Sequence, residues 1–461
     1  MSVYQRGSQL QKTTATSDTG VCQFTSEELS RLCLRHNAHV AYRGKVYNVS
    51  SFVAQHPGGM DQILMGAGRD ITQVFDSYHQ HDTAAKNLDK YYVGELVDNK
   101  LPVFPKEGKF YSTIKKRVAD YMEAHKLDPK INYWTFLRHT ILFVSVFSSW
   151  YAAVSMEYGV LMHLLFTMLW GVLSALVGLT CYHDASHFTI THKPWVWKVV
   201  MTISESVNGT SSYCWWYQHV FGHHLYTNIN KADPDIYTRP DKPPSIWRIK
   251  SAQKLIGHYA YQHMYMPFVY TMLGVKMRLQ DFHTICVLRK SFIRMNPLSV
   301  SQWTTFGVGK AVHVAMRFII PCFYMTFGKL VVMNILYDMV YGYWLAQLTQ
   351  VNHVTEEVEW PEPDTNNVIH QEWAEMQVRT TRDYCTDSWV WYFLSGGLNH
   401  QTAHHLFPGI LQSNYWWITP IVKETCAEFG IQYNGSSSFK DALSRHFSYL
   451  RKMGKEGPEM E

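Results

Sequence analysis

The residues of this chain with the clearest chemical potential are histidines that recur in short clusters. The sequence HDASH contains His183 and His187, whose spacing of four residues would place both imidazoles on one face of a helix. In HVFGHH, His219 and His223 would share a face and His224 would point about 100° away, so this trio could contact two metal ions. The full set of candidate metal-binding residues is His183, His187, His219, His223, His224, His353, Gln401, His404 and His405.

A pair of iron ions agrees best with this number of imidazoles. One zinc ion takes about four ligands, so the eight histidines of the set exceed a single zinc site. Two irons could each take several neutral nitrogens and keep positions open for oxygen, although imidazole chemistry alone does not exclude zinc or copper. An isolated histidine is more often an ordinary surface or core residue. The histidines treated in that way are His192, His263, His313, His370 and His400, of which His400 could still hydrogen-bond to a ligand.

A second pair of histidines lies near the N-terminus. His56 precedes Pro-Gly-Gly, a tight turn that can present an imidazole to a pocket, and His79 follows 23 residues later. Two imidazoles from opposing elements can hold a haem iron on both axial faces. His81 competes with His79 for the second position, and the spacing favours His79. A haem carries electrons, for which redox-inert zinc has no use, so its presence supports iron at the larger cluster.

The composition indicates a membrane enzyme with substantial water-exposed parts. Charged residues make up 17% of the 461 residues, below the roughly 25% typical of soluble domains. Aromatic residues reach 15%, which suits wide belts of amphipathic rings at a membrane interface. The net charge of +5 is mild and mixed along the chain, so it does not indicate nucleic-acid binding.

Four apolar stretches predict two transmembrane hairpins. Their expected bounds are about 139–157, 158–182, 311–328 and 330–352, with Lys329 at the second turn. Arg317 is expected to extend towards the membrane surface. Asp338 lies deeper and should face a protein-lined cavity or another helix, because a charge facing lipid is costly. Two hairpins would place both termini and nearly all the notable histidines on one side of the membrane.

These motifs resemble two protein families. The HPGG turn, the second histidine and YYVGEL over 91–96 resemble cytochrome b5, and the three histidine boxes resemble membrane fatty-acid desaturases. The fusion of the two, with Gln401 replacing the first histidine of the third box, resembles the front-end subgroup. The Ser/Thr/Gln-rich N-terminus over 1–21 is expected to be disordered, and the stretch 99–112, with its prolines and glycine, to be a linker. The resemblance implies an α+β haem domain over 22–98 and a desaturase domain over 113–461. The desaturase domain is expected to be all-α, with four transmembrane helices and a cytosolic histidine-rich di-iron cap.

Front-end desaturases place a new double bond between an existing one and the carboxyl end of a polyunsaturated acyl chain. LGLTCYHDASHFTITHKPWVWK, YQHVFGHHLYTNINKADPD and LNHQTAHHLFP are similar to fungal-type delta-5 desaturases that act on C20 chains. The resemblance implies haem b, a non-haem di-iron centre, O2 as co-substrate and electrons from NADH through cytochrome b5 reductase. It also implies a long-chain polyunsaturated acyl-CoA or phospholipid as substrate and a multi-pass location in the endoplasmic reticulum membrane, with the haem domain and boxes in the cytosol.

Several rival functions share these motifs. Delta-6, delta-4 and delta-8 front-end desaturases, sphingolipid desaturases and fatty-acyl hydroxylases use the same boxes, and product analysis separates them. A membrane-anchored electron carrier with inert histidine boxes belongs to a different class. Such a carrier needs one tail helix rather than four spans and eight clustered imidazoles, and its non-haem iron content would identify it. The aromatic stretch SSYCWWYQ, residues 211–218, is equally typical of an acyl-tunnel wall and of an interfacial belt.

Overall fold

A small five-stranded sheet organises the N-terminal part of the chain. The structure, a computed structural model, describes residues 21–79, 82–236, 245–288 and 291–456. The predicted disordered segment therefore lies outside the described residues apart from Val21, and so does His81. The strands lie in the order β1-β5-β4-β3-β2, where β1 is Gln23–Phe24, β2 Cys33–Leu34, β3 Asn37–Tyr42, β4 Lys45–Asn48 and β5 Tyr92–Leu96.

The domain also contains short helices, most of which are inserted between β4 and β5 and form its pocket. A capping box between Thr25 and Glu28 begins the first helix of the domain, which follows β1. The helices are α1 Ser26–Arg31, α2 Met60–Gly66, α3 Thr72–Tyr78 and α4 Asp82–Leu88, with 3₁₀ turns at Val53–Gln55 and Asp89–Tyr91. The predicted α+β haem-type domain thus has both a sheet and helices.

Long helices form the centre of the C-terminal part. They are α6 Tyr133–Ser155, α7 Val160–Val177, α14 Val300–Val314 and α15 Phe327–His353. The α7 helix continues through a π-helical segment, Gly178–Tyr182, into α8, His183–Ser186. The α14 helix likewise continues through Ala315–Ile319 and Ile320–Phe323. The α7 helix packs against both α6 and α15. The C-terminal ends of α8 and α15 lie at the same end of the bundle.

Two of the four predicted spans coincide with candidate membrane helices. Among the described residues, two helices are long and apolar enough to cross a membrane, Val160–Ser186 and Val300–Phe323. The helices α6 and α15 cover the other two predicted spans but do not reach the same hydropathy, because they carry polar groups such as Arg138 and Asp338. Four transmembrane helices therefore remain a prediction.

Two helices extend beyond the predicted spans at points where a charged residue was taken to mark the end of the span. The third span was expected to begin at residue 311, after Lys310, but its helix begins at Val300, and the Lys310 ammonium donates to the Gly209 carbonyl. The first was expected to begin near 139, but α6 begins at Tyr133 and buries Arg138. Lys329 lies inside α15 rather than at a turn. Protein groups, rather than the membrane surface, stabilise the first two of these charges.

Arg317 was also predicted wrongly. Instead of extending to the membrane surface it is buried, and its guanidinium lies 3.0 Å from the Asp338 carboxylate and 4.0 Å from the centre of the Tyr337 ring. Arg278 contacts the same carboxylate at 2.6 Å. Asp338 thus faces neighbouring helices, one of the two possibilities that its depth in the helix indicated. The cluster keeps three charges paired inside the bundle.

The remaining elements pack over the end of the bundle where α8 and α15 terminate. The helix α5 begins at Lys109, inside the predicted linker 99–112. A two-stranded parallel sheet of β6 and β7 means that this part is not entirely α-helical. The elements are α5 Lys109–Ala124, α9 Pro194–Asn208, α10 Ser212–Trp215, α11 His224–Tyr226, α12 Gln262–Thr271, α13 Leu273–Phe282, α16 Trp373–Arg379, β6 Asp383–Tyr384, α17 Trp389–Ser395, α18 Gln401–Leu406, α19 Tyr415–Glu428, β7 Gly435–Ser436 and α20 Phe439–Met453.

Candidate metal centre and haem pair

Four of the predicted histidines form one buried group. His183 and His187, at the end of α8, meet His219 and His404, and one nitrogen of each lies within 4.8 Å of the others. The Nε2 atoms of His183 and His219 are 3.1 Å apart. We call these four residues the first group. They come from three separate boxes, so only the folded chain brings them together.

A π-helix sets the direction of the second box. Residues Trp216–His223 form this wider helix, in which hydrogen bonds span five residues rather than four. His219 meets His224, with their Nε2 atoms 3.1 Å apart. His219 and His223 also lie side by side as predicted, with nearly parallel rings at 18° and ring centres 5.7 Å apart. Because His219 belongs to one close set of histidines and His223 to another, the box reaches two places, and its contact with two metal ions stays a prediction.

A second group lies beside the first. It contains His223, His353 and His405, with one nitrogen of each again within 4.8 Å of the others. His224 and His404 lie between the groups, because His224, His404 and His405 form a further close set. The Gln401 amide nitrogen lies 2.9 Å from Nε2 of His353 and its oxygen accepts from Asn352. All nine predicted residues are thus within one buried cluster.

Partners on the outer side fix the tautomers of several of these imidazoles. His353 donates from Nδ1 to the Thr380 carbonyl at 3.2 Å, and His405 donates to the Gln377 oxygen at 2.8 Å. His223 faces Asp233 through Nδ1 at 3.1 Å. Tyr415 donates to the Phe407 carbonyl and so accepts from Nδ1 of His404. A proton held at Nδ1 leaves the Nε2 lone pair free, as a metal ligand requires.

The inner nitrogens fit a metal. Nε2 of His187, His404 and His405 is buried and has no hydrogen-bond partner. Leaving a buried polar atom unpaired costs about 1–3 kcal/mol, which a metal ion would offset. Nitrogen-only inner donors in two adjoining groups suit two first-row transition-metal ions rather than Mg²⁺ or Ca²⁺, which prefer oxygen. The residues present therefore fit the predicted pair of irons.

Burial keeps most of these imidazoles neutral. Burial, followed by the neighbouring imidazoles, lowers the pKa of His219, His224 and His404 well below the usual value. His223 is the exception. Burial disfavours its charged form, but Asp233 and then Asp235 outweigh that effect and raise its pKa to about 9. A metal ion would compete with the extra proton on His223, so metal binding should release it.

The two N-terminal histidines face each other across the haem-type pocket. The rings of His56 and His79 have their centres 6.3 Å apart, which leaves room for one iron between them because a metal–imidazole bond is about 2 Å long. Nδ1 of His56 contacts the Gly59 carbonyl and Nδ1 of His79 the Phe75 carbonyl, each at 3.0 Å. Both Nε2 atoms are thereby left for a haem iron. A side chain at Gly58 would lie 2.7 Å from His56, so the turn needs glycine.

The histidines predicted to be ordinary have other partners. His370 is exposed and contacts Asp364, and His192 contacts Asp128. His313 is buried against the carbonyls of residues 206 and 207. His400 bonds to Thr419 at 2.8 Å rather than to a residue of the cluster. Among the described contacts, the His400 side chain makes no hydrogen bond to a residue of the cluster, as support of a ligand would require.

A cavity of about 570 Å³ reaches residues of both groups, a volume typical of small-ligand sites. Its lining includes His183, His219, His353 and Gln401 together with the apolar side chains of Leu179, Met266 and Leu345. Ser211, Trp215 and Gln218 also line it. The stretch 211–218 thus contributes to a cavity wall, and Trp215 stacks on His219 with ring centres 4.3 Å apart.

Several residues beside the cluster were not predicted from the sequence. Gln377 and Thr380 each support an imidazole more than 25 positions away, Tyr415 supports His404, and Gln412 lies 2.8 Å from Nδ1 of His183. Only Asp233 had a local signal, because it follows His223 by ten residues within the same quoted stretch. The others share no spacing with the boxes.

Comparison with known proteins agrees with this geometry. A model of the fatty acid desaturase family matches residues 158–437, and a model of the cytochrome b5-like heme/steroid binding domain matches residues 25–97. The chain belongs to the fatty acid desaturase family. The predicted fusion of a cytochrome b5-like domain to a desaturase domain is confirmed, and with it the implied haem and di-iron cofactors of this membrane-bound family.

Several known proteins are similar to this chain over most of its length. An acyl-lipid (8-3)-desaturase from Mortierella alpina is 42% identical, covering 94% of this chain and 97% of its own. Delta(5) fatty acid desaturase A from Dictyostelium discoideum is 34% identical, covering 94% of both chains. An sn-1 linoleoyl-lipid 6-desaturase from Arthrospira platensis is 31% identical, covering 76% of this chain and 94% of its own.

Proposed function

We propose that this desaturase inserts a cis double bond at the delta-5 position of C20 polyunsaturated acyl chains. The observation that carries the proposal is the cluster of eight imidazoles in two groups, some of which line a mostly apolar cavity. The substrates would be dihomo-γ-linolenate, giving arachidonate, and eicosatetraenoate, giving eicosapentaenoate. The delta-5 position is supported by a relative named as a Delta(5) desaturase, and the acyl-lipid form of the substrate by the Mortierella relative.

The histidine cluster would hold the two irons. The first group and His224 would serve one ion, and His223, His353 and His405 would serve the other, with Gln401 beside His353. When bound, the di-iron centre supplies the oxidising power that removes two hydrogens from unactivated methylenes with O2. Overall, one CH2–CH2 unit loses two hydrogens, and O2 takes these up with two electrons and two protons to give two waters.

The protein's own side chains would orient the reaction. The outer partners Asp233, Thr380 and Gln377 hold imidazoles in one tautomer and one orientation. The cavity wall would keep the acyl chain extended and exclude water from the oxidising centre. Which carbons face the irons would then depend on where the wall stops the methyl end of the chain.

Electrons would enter through the haem held by His56 and His79. The expected supplier is NADH:cytochrome b5 reductase, and two deliveries of one electron each are needed per double bond. Fusion of the donor to the desaturase domain raises its effective concentration to roughly millimolar. We further propose that α6, α7 with α8, α14 and α15 all cross the endoplasmic reticulum membrane, with the haem domain, over about 22–98, and the histidine cluster on its cytosolic side.

Product analysis tests this function. The chain would be expressed in a host that lacks polyunsaturated lipids and fed defined C18, C20 and C22 acids, with the new double bond located by mass spectrometry. New bonds at delta-5 in C20 acids are expected. A bond at delta-6, delta-4 or delta-8, a hydroxylated product or a modified sphingolipid would replace the proposed specificity. No product in the presence of both cofactors would contradict desaturation and favour an electron carrier.

A further inference from the structure

The haem domain is fixed on the desaturase domain by buried polar contacts. The Arg294 guanidinium donates to the carbonyls of Ser30, Ala67 and Gly68 at 2.9–3.0 Å. The Asn296 amide donates to the carbonyls of Leu64 and Ala67 at 2.6 and 2.9 Å. The Leu64 and Ala67 carbonyls lie at the C-terminal end of α2, where helix carbonyls need partners from outside the helix. One short segment of the desaturase domain therefore caps a helix of the haem domain.

The same interface reaches the second histidine box. Arg69 of the haem domain lies over the rings of Tyr217 and Phe221, 4.9 and 4.8 Å from their centres. Both rings belong to the π-helix that carries His219 and His223. Asp61 of the haem domain is buried and pairs with Lys198 at 2.7 Å. The two redox centres are thus held in one arrangement rather than joined only by a linker.

Tyr78 makes the closest connection between the centres. It is the last residue of α3 and immediately precedes His79, the residue proposed to bind the haem. Its hydroxyl lies 2.6 Å from Nδ1 of His187, in the first group, and the two rings are nearly parallel at 15°. Nε2 of His187 has no partner and points away from this bond. An imidazole that binds metal through Nε2 carries its proton on Nδ1 and donates it to Tyr78.

We propose that Tyr78 is the positioning residue through which electrons pass from the haem to the iron held by the first group. This inference rests on the proposed function of the cluster. The path from His79 along the chain to the Tyr78 side chain is covalent, and one short hydrogen bond then reaches His187. Electrons cross bonded atoms and short hydrogen bonds more readily than open gaps. The iron of the first group is therefore reduced before the iron of the second group.

The transfer changes oxidation states only. The ferrous haem becomes ferric, and a ferric ion in the first group becomes ferrous. No covalent bond forms or breaks, and the Tyr78 hydroxyl keeps its proton. The event occurs twice for each double bond formed.

Flash photoreduction of the full-length protein tests the proposal without any acyl substrate. The haem of the oxidised enzyme is reduced anaerobically with a flavin photoreductant, and the decay of the ferrous-haem band measures transfer to iron. Tyr78→Phe keeps the ring but removes the hydroxyl. Without the hydroxyl the hydrogen-bonded step becomes an open gap, so the decay rate should fall by at least about 10-fold, the lower bound of the activity losses typical of such positions. Tyr92→Phe, in the same domain but bonded to Glu95, should leave the rate unchanged.

Further readouts separate electron transfer from a structural role. In Tyr78→Phe, iron content, haem spectrum and the single-turnover yield of chemically pre-reduced enzyme should match those of the unaltered protein. An unchanged decay rate would overturn the proposal. Parallel losses of iron and pre-reduced yield would also overturn it, because Tyr78 would then only support His187. Failure of the proposed function would be visible separately, because the unaltered protein would then hold no iron. Zinc-loaded protein should show no decay of the ferrous-haem band, because zinc does not accept electrons.

Discussion

His353 is the residue whose role depends most on the fold. It belongs to none of the three boxes, yet it ends α15 with its ring centre 4.6 Å from that of His223 and 4.9 Å from that of His405. His353→Ala should lose iron and product as severely as His404→Ala, by about 100-fold or more, because a ligand rather than an outer partner is removed. Metal analysis of the purified variants beside product yield measures both effects.

His370 provides the matched control for this variant. Its side chain is 78% exposed and its bond to Asp364 lies at the surface, so His370→Ala should keep iron and activity. Full iron occupancy with normal turnover in His353→Ala would return His353 to the ordinary interfacial histidines.

The position of Gln401 in the third box does not by itself decide the role of this residue. The box pattern predicts a ligand or an orienting group, and the amide contacts the Nε2 atom of His353 that a metal would occupy. An amide that donates to this nitrogen competes with a metal, whereas the same amide turned over would present its oxygen. Asn352 donates to the Gln401 oxygen at 2.9 Å, so a neighbouring side chain holds the orientation of the amide.

At the scale of elements, the charged cluster between α13, α14 and α15 should stabilise the bundle. Asp338 lies between Arg278 and Arg317, at 2.6 and 3.0 Å. Asp338→Asn would leave two buried guanidinium groups without a counter-charge, which should lower the free energy of unfolding by about 3–5 kcal/mol. Thermal unfolding in detergent measures the change. Asp387→Asn, at an exposed position, is the control, and equal midpoints for the two variants would show that the cluster adds no stability.

The presence of the long helices was predictable from the sequence, but their ends and the π-helical segment were less so. Apolar runs indicated the four long helices, because burial depends on local composition. Their ends were missed at Arg138 and Lys310, since a charged side chain ends an apolar run in sequence but can be stabilised by distant protein groups in the fold. The π-helix over residues 216–223 was missed for a related reason: one extra residue per turn leaves no simple periodic signal.

At the scale of the whole molecule, the histidine boxes and the HPGG turn were sufficient to predict the family and the fusion of two domains. Metal ligands and haem ligands are constrained in spacing along the chain, so they leave a readable pattern. Contacts such as Tyr78 with His187 or Gln412 with His183 join residues more than 100 positions apart. Nothing in either local sequence specifies the other partner, and only the assembled fold shows them.

The central claim is that one chain holds a haem and, beside it, a dinuclear iron site built from the histidine cluster. The most direct test is the ratio of non-haem iron to haem in the purified full-length protein, measured by elemental analysis and by the haem absorption spectrum. Two adjoining imidazole groups predict two non-haem irons for each haem. Protein that contains haem but no further iron, or that contains zinc at the cluster while fully active, would contradict the account.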